Sequence, residues 1–152
     1  MGLIISAASL AGQDIPGQYS ELIRKADSLY SVREYKGSAF AFSDAFKLKG
    51  SKPTTNERYN AACSWALAGY GDSALFNLNY ITTFMNYTSY GHLKSDPDLL
   101  SLHSDARWDP LLEAVQENKK KTYPDLDFIT VNGFKVEVVT YGLQNNQKGK
   151  PV

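Results

Sequence analysis

The sequence predicts a mainly α-helical domain made of helical hairpins, closed by a capping helix and followed by a C-terminal β-hairpin. Apolar residues keep helical spacing from residue 17 to residue 121. Within that span a pattern of small and large residues recurs 36 positions further on. Beyond Lys121, two β-branched runs flank an Asn-Gly pair. The 152 residues are about one domain's worth. They divide into a signal-like or disordered N-terminus (1–16), the helical domain (17–121), and a hairpin with linker (122–152).

The helices follow in order. Leu22, Ala26, Leu29 and Tyr30 share one face of the first. After a break at Arg33-Glu34, Ser38, Phe42, Ala45 and Phe46 mark the second, which Gly50-Ser51-Lys52-Pro53 stops. Thr54-Thr55-Asn56-Glu57 is a capping box and starts the third, with Tyr59, Ala62 and Ala66 on one face and Trp65 beside them. Gly69 and Gly71 end it, and Asp72 is expected to cap a fourth whose stripe is Ala74, Leu78, Ile81 and Met85. Asp96-Pro97 pairs a cap with a proline at the first helical position, and Asp109-Pro110 is expected to repeat the device. Lys119-Lys120-Lys121 closes the last helix, where cations complement the helix dipole.

Superposed with a 36-residue shift, Ala26 falls on Ala62, Leu29 on Trp65, Ser38 on Ala74, Phe42 on Leu78 and Ala45 on Ile81. Small residues stand where helices must cross closely, and large ones fill the gaps between. Residues 17–86 thereby resemble the tetratricopeptide repeat, whose period is about 34 residues. Tyr59-Asn60-Ala61-Ala62-Cys63-Ser64-Trp65-Ala66-Leu67-Ala68-Gly69 carries most of the likeness, and Ser38 departs from it by replacing the usual alanine. The resemblance implies an α-α superhelix whose first helices line a groove for an extended peptide or protein partner. Here those faces would present Ile23, Asp27 and Tyr30, then Tyr59 and Cys63, an aromatic and neutral groove. Asp27 would repel the acidic chain termini that one subtype of the family holds. His92 to Leu112, with its Arg107-Trp108 step, is similar to the closing helices of tetratricopeptide-like domains in secreted bacterial proteins, and is expected to cap the array.

At the C-terminal end, Phe128-Ile129-Thr130-Val131 and Phe134 to Tyr141 flank Asn132-Gly133, whose residues tolerate the positive φ of a tight hairpin turn. Phe134 to Gly142 and Gly149-Lys150-Pro151-Val152 resemble, over about 20 residues, the opening strands of an α/β-hydrolase domain. That likeness implies the N-terminal part of a larger secreted serine hydrolase, with every catalytic residue beyond Val152. At the N-terminal end, Met1 to Ala11 carry no charge, and Ser9 and Ala11 are spaced for signal-peptidase cleavage before Gly12. A secretory signal without its basic start implies a secreted or periplasmic protein. A short apolar terminus on a cytoplasmic one is the other reading.

Several functions are not expected. The 16 Lys+Arg cancel the 16 Asp+Glu, so the basic excess of a nucleic-acid binder is missing. No stretch approaches the roughly 20 apolar residues of a membrane span. The single Cys63 sits mid-helix between small neighbours and reads as a packed residue rather than a nucleophile. His92, Asp96, Asp98, His103 and Asp105 include metal-ligand types, but two aspartates serve as caps and the histidines are eleven apart. No cofactor and no metal are expected. The expected function is a non-catalytic interaction or scaffolding domain. The alternatives are the hydrolase fragment and a carbohydrate-binding helical module built on an exposed aromatic cluster such as Tyr87 and Tyr90.

Overall fold

A computed structural model of the chain describes residues 15–124, 126–131 and 134–139. Helices α1 (Ile15–Ser31), α2 (Tyr35–Lys47), α3 (Thr55–Leu67), α4 (Gly71–Phe84) and α5 (Tyr90–Ser95) are followed by a 3₁₀ helix, η1 (Pro97–Leu102), and by α6 (Trp108–Thr122). The protein is mainly α-helical. Strands β1 (Leu126–Val131) and β2 (Phe134–Val139) pair antiparallel, with Val131 opposite Phe134. Asn132-Gly133, the strands' side chains, the signal-like Met1–Ala11 and the hydrolase-like Gly149–Val152 lie outside the described residues. No described helix is long and apolar enough to cross a membrane.

The turns that end α1 and α3 show how sequence fixes the pairing of helices. At the end of α1, Arg33 N–H donates to the Tyr30 carbonyl and Glu34 N–H to that of Leu29. At the end of α3, Gly69 N–H donates to Ala66 and Tyr70 N–H to Trp65. This is the Schellman arrangement, which satisfies carbonyls that a helix end leaves open. It needs a left-handed residue, and Arg33 (φ 64°) and Gly69 (φ 81°) supply it. The two turns are 36 residues apart, and so are the bonds that start the following helices, Ser38 N–H to Glu34 and Ala74 N–H to Tyr70.

Each chain reversal lays α1 on α2 and α3 on α4, and α2 also packs on α3. The residues at the 36-residue spacing are core residues. Ala26 and Ala62, Ser38 and Ala74, Phe42 and Leu78, and Ala45 and Ile81 are all fully buried. Trp65 is buried as well, while Leu29 is half-buried. Ser38 keeps its place because Ser64, 2.9 Å away, receives its hydroxyl. Ser64 donates in turn to the Asn60 carbonyl, also at 2.9 Å, so the pair is buried without an orphaned proton. Helix α3 is the centre of the packing. Tyr59 and every residue from Ala61 to Ala66 are buried, so it lacks a clear polar side.

The capping segment closes this core. Leu93 of α5, Leu99 and Leu102 of η1, and Trp108, Leu111, Leu112 and Val115 of α6 join α3 and α4 in one hydrophobic cluster. The capping box at Thr54 forms as expected, Glu57 N–H donating to Thr54 Oγ1 and Thr54 N–H to Glu57. Asp96 caps η1 with Pro97 at its start. Three sequence expectations shift. Helix α1 begins at Ile15, ahead of residue 17. Tyr70, not Asp72, is the N-cap of α4. Arg107, not Asp109, occupies that place in α6. Asp72 and Asp109 each stand at the second position inside their helix, past the cap, and Arg107 donates to Asp72 at 2.7 Å and to Asp105 at 2.6 and 2.8 Å, tying the first turn of α4 to the approach to α6. Those bonds hold the Asp105 carboxyl down at about 2.

Candidate functional site

Where α1, α3 and η1 converge, the protein holds a cavity of about 290 Å³. Helix α1 brings Asp27 and Tyr30 to it, one turn apart on the same face. Helix α3 brings Tyr59, Asn60 and Cys63, the first and last at i and i+4. The loop and first turn of η1 add Asp96 and Asp98, and α5 adds His92. Phe42, fully buried, forms part of the lining.

Hydrogen bonds tie the cap to the groove. Tyr59 Oη donates to Asp96 Oδ2 at 2.7 Å, and Tyr30 Oη donates to Asp98 Oδ2. The Cys63 thiol points at the same Asp96 oxygen, 3.8 Å away. Asp96 thus does two things at once. Its Oδ1 accepts the Asp98 N–H as the helix cap, while Oδ2 serves the tyrosine and the thiol. His92 stacks on the Tyr59 ring, with centroids 4.8 Å apart, and its Nε2 lies 3.9 Å from Asp96. Tyr87 meets the other ring nitrogen of His92 at 3.2 Å. Tyr19 of α1 also donates to Glu57 of α3 at 2.7 Å.

Charge is concentrated on one sign. No lining residue is Lys or Arg, whereas three are aspartates. Burial and then the Glu57 carboxylate raise the Asp27 carboxyl above its ordinary range. Burial, followed by the hydrogen bond to its aspartate, lifts Tyr30 and Tyr59 well above the usual phenol value. Burial pushes Tyr87 up to about 12. The Cys63 thiol is raised far above the ordinary thiol range, by burial first and then by Asp96 and Asp98. A protonated thiol held this way is a poor nucleophile.

Of the five groove residues named from the sequence, Asp27, Tyr30, Tyr59 and Cys63 line one cavity. Ile23 does not. It packs with Ala26, Ala41, Phe42 and Ala61 in a separate apolar cluster. The groove is aromatic but not neutral, because the cap places Asp96 and Asp98 on it. Ligand atoms of Cys63, Asp96 and Asp98 come within 4.8 Å of one another, a grouping the sequence reading of His92, Asp96, Asp98, His103 and Asp105 did not contain. Each of these groups already shares a proton with a neighbour, which makes them a hydrogen-bonded latch. His103 stands apart, stacked on Trp108 at 4.6 Å. No family model, curated protein or solved structure matches the chain.

Proposed function

We propose that the chain is a non-catalytic interaction domain, a tetratricopeptide-like superhelix whose acidic cavity receives a basic side chain from an extended partner segment. The cavity between α1, α3 and η1 carries this reading. Its three aspartates and tyrosine rings suit an ammonium or guanidinium, through charge-assisted hydrogen bonds and cation–π contact. The repeat reading draws support from the paired turns at Arg33 and Gly69 and from the buried residues that recur 36 positions apart. The non-catalytic reading draws support from the raised Cys63 thiol and from two histidines that stand at different places.

The test is fluorescence anisotropy with two labelled peptides of equal length, one alternating Lys and Val, the other Glu and Val. The Lys peptide is expected to bind, and to weaken steeply as salt rises toward about 0.5 M, where charges are screened within a few ångströms. Asp98→Asn keeps an acceptor for Tyr30 but removes a charge, and should weaken binding about tenfold. Equal binding of both peptides, or binding that ignores salt, would refute the acidic-cavity reading.

A further inference from the structure

A second and larger cavity, about 390 Å³, lies between α2 and α4. It opens on the other side of α3 from the acidic one, since Arg58 and Trp65 are seven residues apart and share a helix face that Tyr59 and Cys63 do not. Phe46 of α2 and Trp65 of α3 line it, and Phe76 of α4 stands at its wall with 65% of its surface exposed. An exposed phenylalanine beside a cavity of this size is apolar surface that the fold leaves uncovered.

Arg58 gives the cavity its chemistry. Its guanidinium carbon sits 3.7 Å from the Tyr80 ring centroid and 4.9 Å from that of Phe46. Nη1 donates to Asn77 Oδ1 at 3.1 Å. Asn77 is itself buried and fixed, its amide donating to the Ser73 carbonyl at 2.9 Å. The plane of the guanidinium is therefore set by two rings and an anchored amide. Its charge is matched by nothing: among the described residues no carboxylate forms an ion pair with it. Its Nε is buried without an acceptor. The other charged groups at the rim are already engaged, Lys47 with Asp44 at 3.2 Å and Asp72 with Arg107 at 2.7 Å.

A part-buried cation that is oriented but unpaired is costly to the fold, and an arriving anion recovers that cost without having to order the side chain first. Guanidinium planes match carboxylates well. A single unpaired cation with aromatic walls suits a monoanion attached to an apolar body better than a phosphate dianion, because the second cation at the rim, Lys47, is already paired with Asp44. The volume falls within the roughly 300–1,000 Å³ range of small-molecule sites. We propose that this cavity binds an organic carboxylate with an apolar body, the carboxylate on Arg58 and the body against Phe46, Trp65 and Phe76. The carboxylate can belong to a free acid or to the C-terminal residue of a peptide.

The experiment is ¹H–¹⁵N NMR titration of the full chain with phenylacetate, phenylacetamide, inorganic phosphate, N-acetylphenylalanine and its amide. Phenylacetate should shift amides of residues 43–47, 58–65 and 72–77, and should bind about tenfold tighter than the isosteric phenylacetamide. Phosphate should produce no matching shifts. N-acetylphenylalanine binding more tightly than phenylacetate, with its amide losing that advantage, assigns the site to peptide C-termini; the reverse order assigns it to free acids. Arg58→Gln should lose about tenfold for the acid and nothing for the amide, and Phe76→Ala should weaken both by a similar factor. If Arg58→Gln does not fold, the acid–amide comparison on the unaltered chain decides alone. Equal affinity for phenylacetate and phenylacetamide, or shifts confined to residues outside this cavity, would overturn the proposal.

Discussion

Arg33 and Gly69 occupy the same place in their two turns, yet one of them is the wrong residue for it. Both backbones are left-handed, at φ 64° and 81°. A side chain in that region costs roughly 1–2 kcal/mol through the clash of Cβ with the carbonyl oxygen. Glycine avoids the clash but leaves the unfolded chain freer, which gives back about 0.4–1 kcal/mol. A Cβ on Gly69 would meet nothing within 4 Å, so Gly69→Ala measures the backbone effect alone. It should destabilise by about 1 kcal/mol. Arg33 is exposed, and Arg33→Gly should stabilise by up to about 1 kcal/mol. For a chain of this size each kcal/mol corresponds to about 2–4 °C in Tm. Urea unfolding followed by far-UV circular dichroism reads both variants, as midpoint shifts of opposite sign with an unchanged m value. A destabilised Arg33→Gly, or a Gly69→Ala as stable as the parent, would show that the two turns are not under the same constraint.

The buried serine pair predicts an asymmetry. Ser64→Ala leaves the Ser38 hydroxyl without its partner and should cost about 1–3 kcal/mol, while Ser38→Ala leaves Ser64 still bonded to Asn60 and should cost little; matched urea titrations compare them. The raised Asp27 carboxyl binds its proton more tightly folded than unfolded, so its burden on the fold is absent in acid and grows as pH rises from the ordinary carboxyl value through the folded one. Asp27→Asn should therefore stabilise the protein near about pH 7 and change nothing near about pH 3, and a gain that persists in acid would contradict the cause assigned. The Cys63 thiol should resist iodoacetamide at neutral pH in the folded chain and react once urea unfolds it; prompt alkylation of the native protein would contradict its burial.

Helix positions were legible because one physical signal, the spacing of apolar residues, recurs over many turns. The capping box at Thr54 and the Asp96-Pro97 start were legible because those side chains act locally, within three residues of themselves. Asp72 and Asp109 carry the same residue type in a similar context, yet neither caps. Each stands at the second position inside its helix, after Gly71 and after Trp108, and Asp72 bonds instead to Arg107, 35 residues away. A local rule that reads residue type does not fix a helix start to the residue.

The site was legible for the same reason and to the same limit. Asp27, Tyr30, Tyr59 and Cys63 share helix faces, so periodicity alone put them together. The sign of the cavity was not available that way. Asp96 has a sufficient local explanation as a cap, and only one of its oxygens is used by it. The other is spent on Tyr59, 37 residues away, and Asp98 is spent on Tyr30, 68 residues away. A carboxylate has two oxygens and about four acceptor positions, so one structural role never exhausts it. Once α5 and η1 close over α3, capping residues become cavity residues, and a groove read as neutral from its helices becomes acidic through its lid. The same logic separates Arg58: its sequence position, just after a capping box, gives no sign of a function, and its distinction is that among the described residues no carboxylate forms an ion pair with it.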